Sequence, residues 1–421
     1  MRSLRVGLFV CILLLTLPAW SQQTSSTGTN GQTRHDQPTR PRVLVIGVNG
    51  AEWDIIRPLI LRGEMPNLAR MMENGVSGKL QTTSDPNCPK VYSTIFTSTP
   101  DSENGISGFE VNGVPARSDY LKGTPFWSVL SNNGISVGMA NVPGTFPTRT
   151  VNGYMVSGML TQGKDCDGIL CSPKLSEVVN GEPVYPKPMS AELMKHVGDF
   201  WIDCSAMPTS EELAGKEKDV VEKWLKRVSE IRDQQTRLFE YLLEHHPTDF
   251  TMFAQSCEDR TGHWLYPIRR NNYGYNPNVH EVRVDAFPNQ YREFDQLLGK
   301  ILSHFDKNTT VLVISDHGIK PLRDPGPFSA RSGHNHNASP IIAHHDFIDG
   351  DDVPGIFVAM GPRIRQNVRI MGLQMSVFDI APTVLSMYGV PMPAQMKGRV
   401  LSEIFEDSAK TNQQLARANN F

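Results

Sequence analysis

An aspartate and a histidine stand side by side in this chain, directly after a run of apolar residues. Residues 311–314 form a continuous, mostly β-branched segment that is typical of a strand buried on both faces, and Asp316 and His317 follow it before Gly318. Open α/β sheets form their active sites where the strands end at the carboxyl side. A carboxylate and an imidazole at such a point can bind one divalent cation such as zinc. A capped turn is the alternative, because so short a motif arises by chance.

A second pair of the same two residue types follows another apolar run. Residues 250–255 predict a shorter strand, and Asp259 and His263 come after it, four residues apart. Side chains at this spacing lie on one face of a helical turn, so they can bind a single ion. The pattern is weak by itself, but it repeats the combination found after the first strand.

Cys88 is the third candidate for chemistry. It lies in the polar stretch 82–90, just before residues 91–97, which predict a buried helix. The first turn of a helix stabilises an anion and lowers the pKa of a thiol placed there. The alternative is a small buried apolar residue, which is what most unpaired cysteines are, and position alone favours that interpretation.

The surrounding segments predict the elements that must position these residues. Residues 42–48 form another apolar strand that ends in Asn49-Gly50, and two helices follow, the second starting at Pro66 and ending before Gly75. Helical spacing returns at residues 220–231 and continues to about 245, and the last apolar strand begins at residue 355. The stretch 161–217 has weak periodicity and predicts an insertion that caps the sheet.

Composition indicates a globular protein and excludes some partners. The 421 residues are 39% hydrophobic and 20% charged, with a formal net charge of -3. No basic run marks the chain for a nucleic acid polymer or a membrane surface. The sequence gives no indication of oligomeric state.

The N-terminal residues resemble an export signal. Basic residues precede the apolar run 8–17, and small residues near position 21 predict cleavage there, which makes residues 1–21 a signal peptide. An uncleaved membrane anchor is the alternative, but the run is shorter than the ~20 residues that a spanning helix needs. Residues 22–41 predict a flexible leader, and residues 407–421 a C-terminal tail. A periplasmic or secreted location is therefore expected.

Export makes disulfides possible, and five cysteines remain once the signal peptide is removed. Cys166 and Cys171 are close enough to form a small loop. Cys204 with Cys257 is then the simplest second pair, although sequence does not fix the connectivity. Cys88 is the candidate for the free thiol.

The order of these pieces resembles the alkaline phosphatase superfamily, and most closely its type I phosphodiesterase and nucleotide pyrophosphatase branch. The resemblance extends from about residue 42 to residue 406. It rests on eight segments: 45–51, 65–68, 105–106, 156–160, 259–263, 315–318, 361–362 and 379–383. It implies a three-layer α/β/α sandwich with a mostly parallel central sheet and a cap insertion.

The resemblance also implies a site with two divalent metal ions, commonly zinc in the family, and a Thr or Ser nucleophile that attacks phosphorus. Asp316 and His317 would hold one ion, and Asp259 and His263 the other. The implied substrate is a small phosphoester or a nucleotide-like molecule. An exported, metal-dependent hydrolase of phosphoric esters or anhydrides is the leading hypothesis.

Three positions depart from the family pattern. Asn49 stands where a metal-binding Asp is expected, Cys88 where the nucleophile is expected, and Asp351 where a His ligand is expected. A Cys thiolate binds zinc well, so Cys88 could supply the charge that Asn49 lacks. His344 or His345 could replace the missing His ligand.

These departures leave several alternatives open. Ser84, Ser93 or Thr94 could serve as the nucleophile in place of Cys88. A catalytically degenerate member of the family, acting as a binding module, is the runner-up. A sulfatase, in which this Cys becomes formylglycine, is less favoured because Lys90 and Tyr92 stand where its motif has Pro and Arg.

Overall fold

Five parallel strands form the centre of one large sheet. The computed structural model describes residues 40–164, 172–204, 217–266, 277–321, 343–344, 353–372 and 374–407. The central strands lie in the spatial order β9 (Thr309–Ile314), β1 (Arg42–Val48), β8 (Phe250–Gln255), β5 (Val137–Asn141) and β6 (Gly153–Gly158). Each is almost wholly buried, which is the environment predicted by their continuous apolar runs.

Shorter and antiparallel strands complete the sheet. Strand β12 (Gly355–Met360) lies antiparallel between β9 and β2 (Gly75–Gln81), and β7 (Val184–Tyr185) pairs antiparallel with β6. Strands β13 (Val368–Arg369) and β14 (Met375–Ser376) pair with β2 in parallel. Two small hairpins lie outside the sheet, formed by β3 (Glu110–Val111) with β4 (Val114–Pro115), and by β10 (Lys320–Pro321) with β11 (Ala343–His344).

Helices cover both faces of the sheet. Leu44 and Ile46 of β1 belong to the core shared with α1 (Trp53–Leu61), α2 (Pro66–Glu73), α6 (Met189–His196), α7 (Glu217–His245), α8 (Cys257–Leu265) and α9 (Pro277–Leu302). Val43 and Val45 belong to the opposite core, shared with α3 (Cys88–Thr97), α5 (Phe126–Asn132) and α10 (Ile380–Met387). The short α4 (Asp101–Asn104) follows α3. This arrangement confirms the predicted three-layer α/β/α sandwich with a mostly parallel sheet.

Strand β2 was not predicted from the sequence, because its two glycines interrupt the periodicity of apolar residues that indicates a strand. A Cβ on Gly75 would lie 2.0 Å from the carbonyl oxygen of Ala359, and one on Gly78 would lie 2.5 Å from the Met375 side chain. Both glycines therefore permit close approach of neighbouring strands.

Residues 161–164, 172–204 and 217 of the predicted cap are described, and they include β7, α6 and a cysteine that forms a disulfide. Cys204 is bonded to Cys257, the first residue of α8, which confirms that predicted pair. Cys88 is a free, buried cysteine, as predicted. Cys166 and Cys171 lie outside the described residues, as do the predicted signal peptide and leader up to residue 39. Among the helices described, none has the length and apolar character needed to cross a membrane.

Asp295 of α9 anchors the start of α2. Its Oδ1 accepts the backbone N–H of Leu68 at 2.8 Å, and its Oδ2 accepts the backbone and side-chain N–H groups of Asn67 at 3.1 and 3.0 Å. A carboxylate at this point satisfies helix N–H groups that have no partner within the helix, and its charge is favourable beside the positive end of the helix dipole. The Met-Pro-Asn-Leu motif of the sequence thus starts α2, and Asp295 of the distant helix α9 stabilises it.

We expect Asp295→Ala to lower the free energy of unfolding by about 2–3 kcal/mol, because the buried N–H of Leu68 and the partly buried N–H groups of Asn67 lose their acceptor. Urea denaturation followed by circular dichroism measures the change. Asp285→Ala, at an exposed position of the same helix, is the control and should change stability by no more than about 0.5 kcal/mol. Equal stabilities of the two variants would contradict this role of Asp295.

Candidate active site

The predicted site residues of β1 and β9 meet at one edge of the sheet. Gly47 of β1 pairs with Ile314 of β9 in parallel register, so the residues that follow, Asn49 on one strand and Asp316 on the other, leave the sheet together. The Ser315 hydroxyl accepts the backbone N–H of Ala51 at 3.0 Å and donates to the carbonyl of His317. Ser315 therefore ties the two loops to each other.

Cys88, Asp316 and His317 form a compact buried cluster in which one possible ligand atom from each lies within 4.8 Å of the others. His317 Nε2 lies 3.6 Å from Cys88 Sγ and 3.4 Å from Asp316 Oδ2. These are sulfur, nitrogen and oxygen donors of the kinds that zinc binds. Within the described part of the chain, this is the one group of three His, Cys, Asp or Glu residues with that spacing.

The hydrogen bonds of the cluster direct its electron pairs inward. His317 Nδ1 lies 3.0 Å from the carbonyl oxygen of Gly318, which can only accept, so Nδ1 carries a proton and Nε2 is the ring atom that faces the cluster. Asp316 Oδ1 accepts the backbone N–H of His317 at 3.1 Å. Asp316 Oδ2 is buried and has no hydrogen-bond partner among the described residues. The cluster therefore has the donor set and the unsatisfied oxygen of a metal site.

The electrostatics of the cluster favour a cation. Burial raises the pKa of the Cys88 thiol well above its usual value, and the charges of Asp316 and Asp259 raise it further. Burial also raises the pKa of Asp316, against the opposing effect of His317. Both pKa values are raised because burial removes the water that would stabilise the anionic forms. A dication bound among these groups would stabilise the anionic forms and lower both pKa values.

Gly50 connects this cluster to the second Asp–His pair. Its backbone N–H lies 3.4 Å from Asp316 Oδ1, and its φ of +70° is one that side chains disfavour. A Cβ at this position would lie 3.0 Å from the Cβ of Asp259. The turn after β1 therefore brings the α8 residue Asp259 close to Asp316 only because position 50 is glycine.

Asp259 and His263 lie one turn apart on α8, with Asp259 Oδ1 3.3 Å from His263 Nε2, and both are buried. The predicted third member of this site, Asp351, lies outside the described residues, and so do His345 and the side chain of His344. Two of the expected ligands are thus in place together, and the role of Asp351 stays a prediction.

Asn49 lies against Cys88, but in an orientation that the sequence does not indicate. Its Oδ1 accepts the hydroxyl of Tyr92 at 2.7 Å, and its Nδ2 donates to Cys88 Sγ at 3.4 Å. In this orientation the amide supports the sulfur, and a metal-binding role for Asn49 remains a prediction. The sequence analysis missed the part played by Tyr92, although its spacing of four residues from Cys88 in a helix places both on one face.

The structure also gives the start of α3. The helix begins at Cys88, before the predicted start at residue 91, because Asn87 is the N-cap and its side chain accepts the N–H of Lys90 at 3.2 Å. Cys88 is therefore fixed at the positive end of α3, with its sulfur facing His317. Ser84, Ser93 and Thr94 stay untested as alternative nucleophiles.

Sequence comparison relates the chain to several known proteins. A 2,3-bisphosphoglycerate-independent phosphoglycerate mutase of Trichodesmium erythraeum is 30% identical over 156 residues, which is 35% of this chain and 26% of that protein. The same enzyme of Shewanella amazonensis is 29% identical over 129 residues, or 30% of this chain and 21% of that protein. The chain thus spans about a quarter of the length of these relatives.

Comparison with solved structures shows the fold. Human ectonucleotide pyrophosphatase / phosphodiesterase 5 superposes with a TM-score of 0.50 at 14% identity, covering 87% of this chain and 100% of that one. A putative sulfatase from Bacteroides thetaiotaomicron gives a TM-score of 0.53 at 12% identity, covering 86% of this chain and 74% of that one. Both similarities confirm the α/β fold.

The sequence profile of one family matches residues 43–353, which is more than half of the 421-residue chain. That stretch contains both Asp–His pairs, the Asn49-Gly50 turn and Cys88. The chain belongs to the type I phosphodiesterase / nucleotide pyrophosphatase family.

Proposed function

We propose that this protein is a metal-dependent hydrolase of phosphoric esters or anhydrides. The observation that carries the proposal is the buried cluster of Cys88, Asp316 and His317, in which Asp316 Oδ2 has no hydrogen-bond partner among the described residues. Buried carboxylate oxygens without partners are costly, and a metal ion is the partner that this donor set fits. Family membership supplies the reaction class.

The proposal assigns two metal ions to the site, and the described residues supply three donors for the first ion and two for the second. Asp316, His317 and Cys88 would hold one ion with oxygen, nitrogen and sulfur donors, a set that suits zinc. Asp259 and His263 would hold the other, together with Asp351. Bound there, such ions neutralise charge on the phosphoryl oxygens and activate an oxygen nucleophile.

The protein's own groups prepare this site. Because the Nδ1 proton of His317 is held by Gly318, the ring keeps its Nε2 lone pair in the cluster. The Asn49 amide donates to Cys88 Sγ, and a hydrogen bond of this kind stabilises a thiolate more than a thiol. Asn49 and Cys88 together would thus replace the anionic charge of the Asp that the family has at position 49.

We infer that the substrate is a small phosphoester, nucleotide-like in character, met outside the cytoplasm. A structure of murine ectonucleotide pyrophosphatase / phosphodiesterase 5, similar in fold with a TM-score of 0.50, is described as a complex with AMP. The signal-peptide pattern at residues 1–21 supports export, and the disulfide between Cys204 and Cys257 fits an oxidising compartment.

A binding module without turnover is the second candidate, and one observation favours it. Cys88 occupies the position of the nucleophile and is only 1% exposed, and a thiolate bound to a metal attacks phosphorus less readily than an alkoxide. Elemental analysis of the purified mature chain separates the candidates. About two equivalents of metal favour the enzyme, whereas a stably folded protein without metal favours the binding module.

We expect the protein to hydrolyse members of a panel of aryl phosphodiesters, phosphomonoesters and nucleotides, and to lose this activity on chelation. His317→Ala should lower kcat/KM at least about 100-fold, since loss of even an outer partner of a metal ligand costs roughly 10–100-fold. His304→Ala is the matched control, because His304 lies beside Glu240 and Glu244 away from the site. Turnover that survives both chelation and His317→Ala would rule out this mechanism.

Cys88→Thr should restore or raise phosphodiesterase activity, because a hydroxyl activated by a metal is a better nucleophile toward phosphorus. Adding Asn49→Asp should increase the gain, since the carboxylate replaces the charge lost with the sulfur. Steady-state kinetics and metal content of the single and double variants measure both effects. If the double variant binds no metal and turns over no substrate, residues 49 and 88 do not act in one site. Peptide mass spectrometry of Cys88 tests separately for the formylglycine of a sulfatase.

A further inference from the structure

Arg260 lies in sequence between Asp259 and His263, the second Asp–His pair, and the proposed metal site assigns it no role. It follows Asp259 directly on α8 and is 5% exposed, so a guanidinium is buried beside the candidate ligands. A buried charge of this kind is retained where it has a partner or a function. The residue before it, Asp259, has its Cα 2.9 Å from where a Cβ on Gly50 would lie, and the Gly50 N–H lies 3.4 Å from Asp316 Oδ1. The first turn of α8 therefore carries Arg260 to the edge of the cluster.

The hydrogen bonds of Arg260 are incomplete. Its one side-chain contact among the described residues joins Nη2 to Asp203 Oδ2 at 3.4 Å, which is long for a charge-assisted bond, and its buried Nε has no partner among them. Arg232, another buried arginine, also has a buried Nε without a partner among the described residues, but its terminal nitrogens donate to Glu258 at 2.8 Å, to Gln290 at 3.0 Å and to Glu293. The terminal nitrogens of Arg260 therefore keep donor capacity that those of Arg232 have used.

We propose that Arg260 is a substrate-binding residue whose guanidinium donates to non-bridging oxygens of a phosphoryl group held at the Cys88, Asp316 and His317 cluster. The inference rests on the proposed function and assigns it a further residue. The planar, permanently charged fork of arginine matches phosphate geometry, and the unused Nε–H supplies a donor for it. The ligand class is an anion with a terminal or bridging phosphoryl group.

The insertion between β6 and α7 holds Arg260 in place. Asp203 accepts from the Ser256 hydroxyl with Oδ1 and faces Arg260 with Oδ2, and the next residue, Cys204, is bonded to Cys257 at the start of α8. Asp203 is itself buried, so its charge stays close to the guanidinium. The same insertion thus fixes both the helix that carries Asp259 and His263 and the orientation of Arg260.

Binding of inorganic phosphate to the zinc-loaded full chain, measured by isothermal titration calorimetry, tests the inference. Arg260→Met should weaken phosphate binding on the order of 10- to 100-fold with unchanged zinc content, because a charge-assisted hydrogen bond is lost. Arg260→Lys keeps the charge, is less disruptive to folding, and should give an intermediate loss. Arg292→Met removes a half-buried arginine that pairs with Glu64 away from the site, and it should leave phosphate binding unchanged.

The outcomes separate this inference from the proposed function. Wild-type phosphate affinity in folded Arg260→Met or Arg260→Lys protein overturns the role of Arg260, even if the wild-type chain hydrolyses phosphoesters. Absence of phosphate binding by the zinc-loaded wild-type chain overturns it as well. Arg260-dependent phosphate binding in a chain that hydrolyses nothing supports the anion site while contradicting the hydrolase.

Discussion

The crowding of anionic groups at the ends of β1 and β9 is the constraint on which the site depends. Asp316, Asp259 and Cys88 are all nearly inaccessible to water; the charges of Asp316 and Asp259 raise the pKa of the Cys88 thiol, and the charge of Asp259 raises the pKa of Asp316. Such an arrangement is stable when a cation neutralises it or when the groups stay protonated. A dication at the cluster provides the neutralisation, and the fixed tautomer of His317 prepares the ring to bind it.

The turn after β1 makes this crowding possible. Gly50 contributes an N–H to Asp316 and leaves room for Asp259, and a side chain at this position would push α8 away. Asn49 turns its amide between Tyr92 and Cys88. The Asn49-Gly50 turn thus lies against Asp316 and Asp259, one from each Asp–His pair, and against Cys88 and Tyr92 of α3.

The segment that carries Asp203 and Cys204 holds the start of α8 in position. The disulfide to Cys257 and the contacts of Asp203 with Ser256 and Arg260 all fall on the first turn of that helix. A short helix of nine residues has little stability by itself, so its orientation depends on such tertiary contacts. The position of Asp259 and His263 is therefore coupled to a segment that the sequence identified only as a weakly patterned cap.

The amino-acid sequence alone determined the buried strands and both Asp–His pairs, because continuous apolar runs and the residues that follow them are local features. The fold class followed from the resemblance of the ordered motifs to a known family. It also indicated the Cys204–Cys257 pair. Strand β2 escaped prediction because its glycines are required by neighbouring strands, which local periodicity does not report. The orientation of Asn49, the part of Tyr92 and the incomplete bonding of Arg260 were decided by tertiary structure, since each depends on side chains distant in sequence meeting at one edge of the sheet.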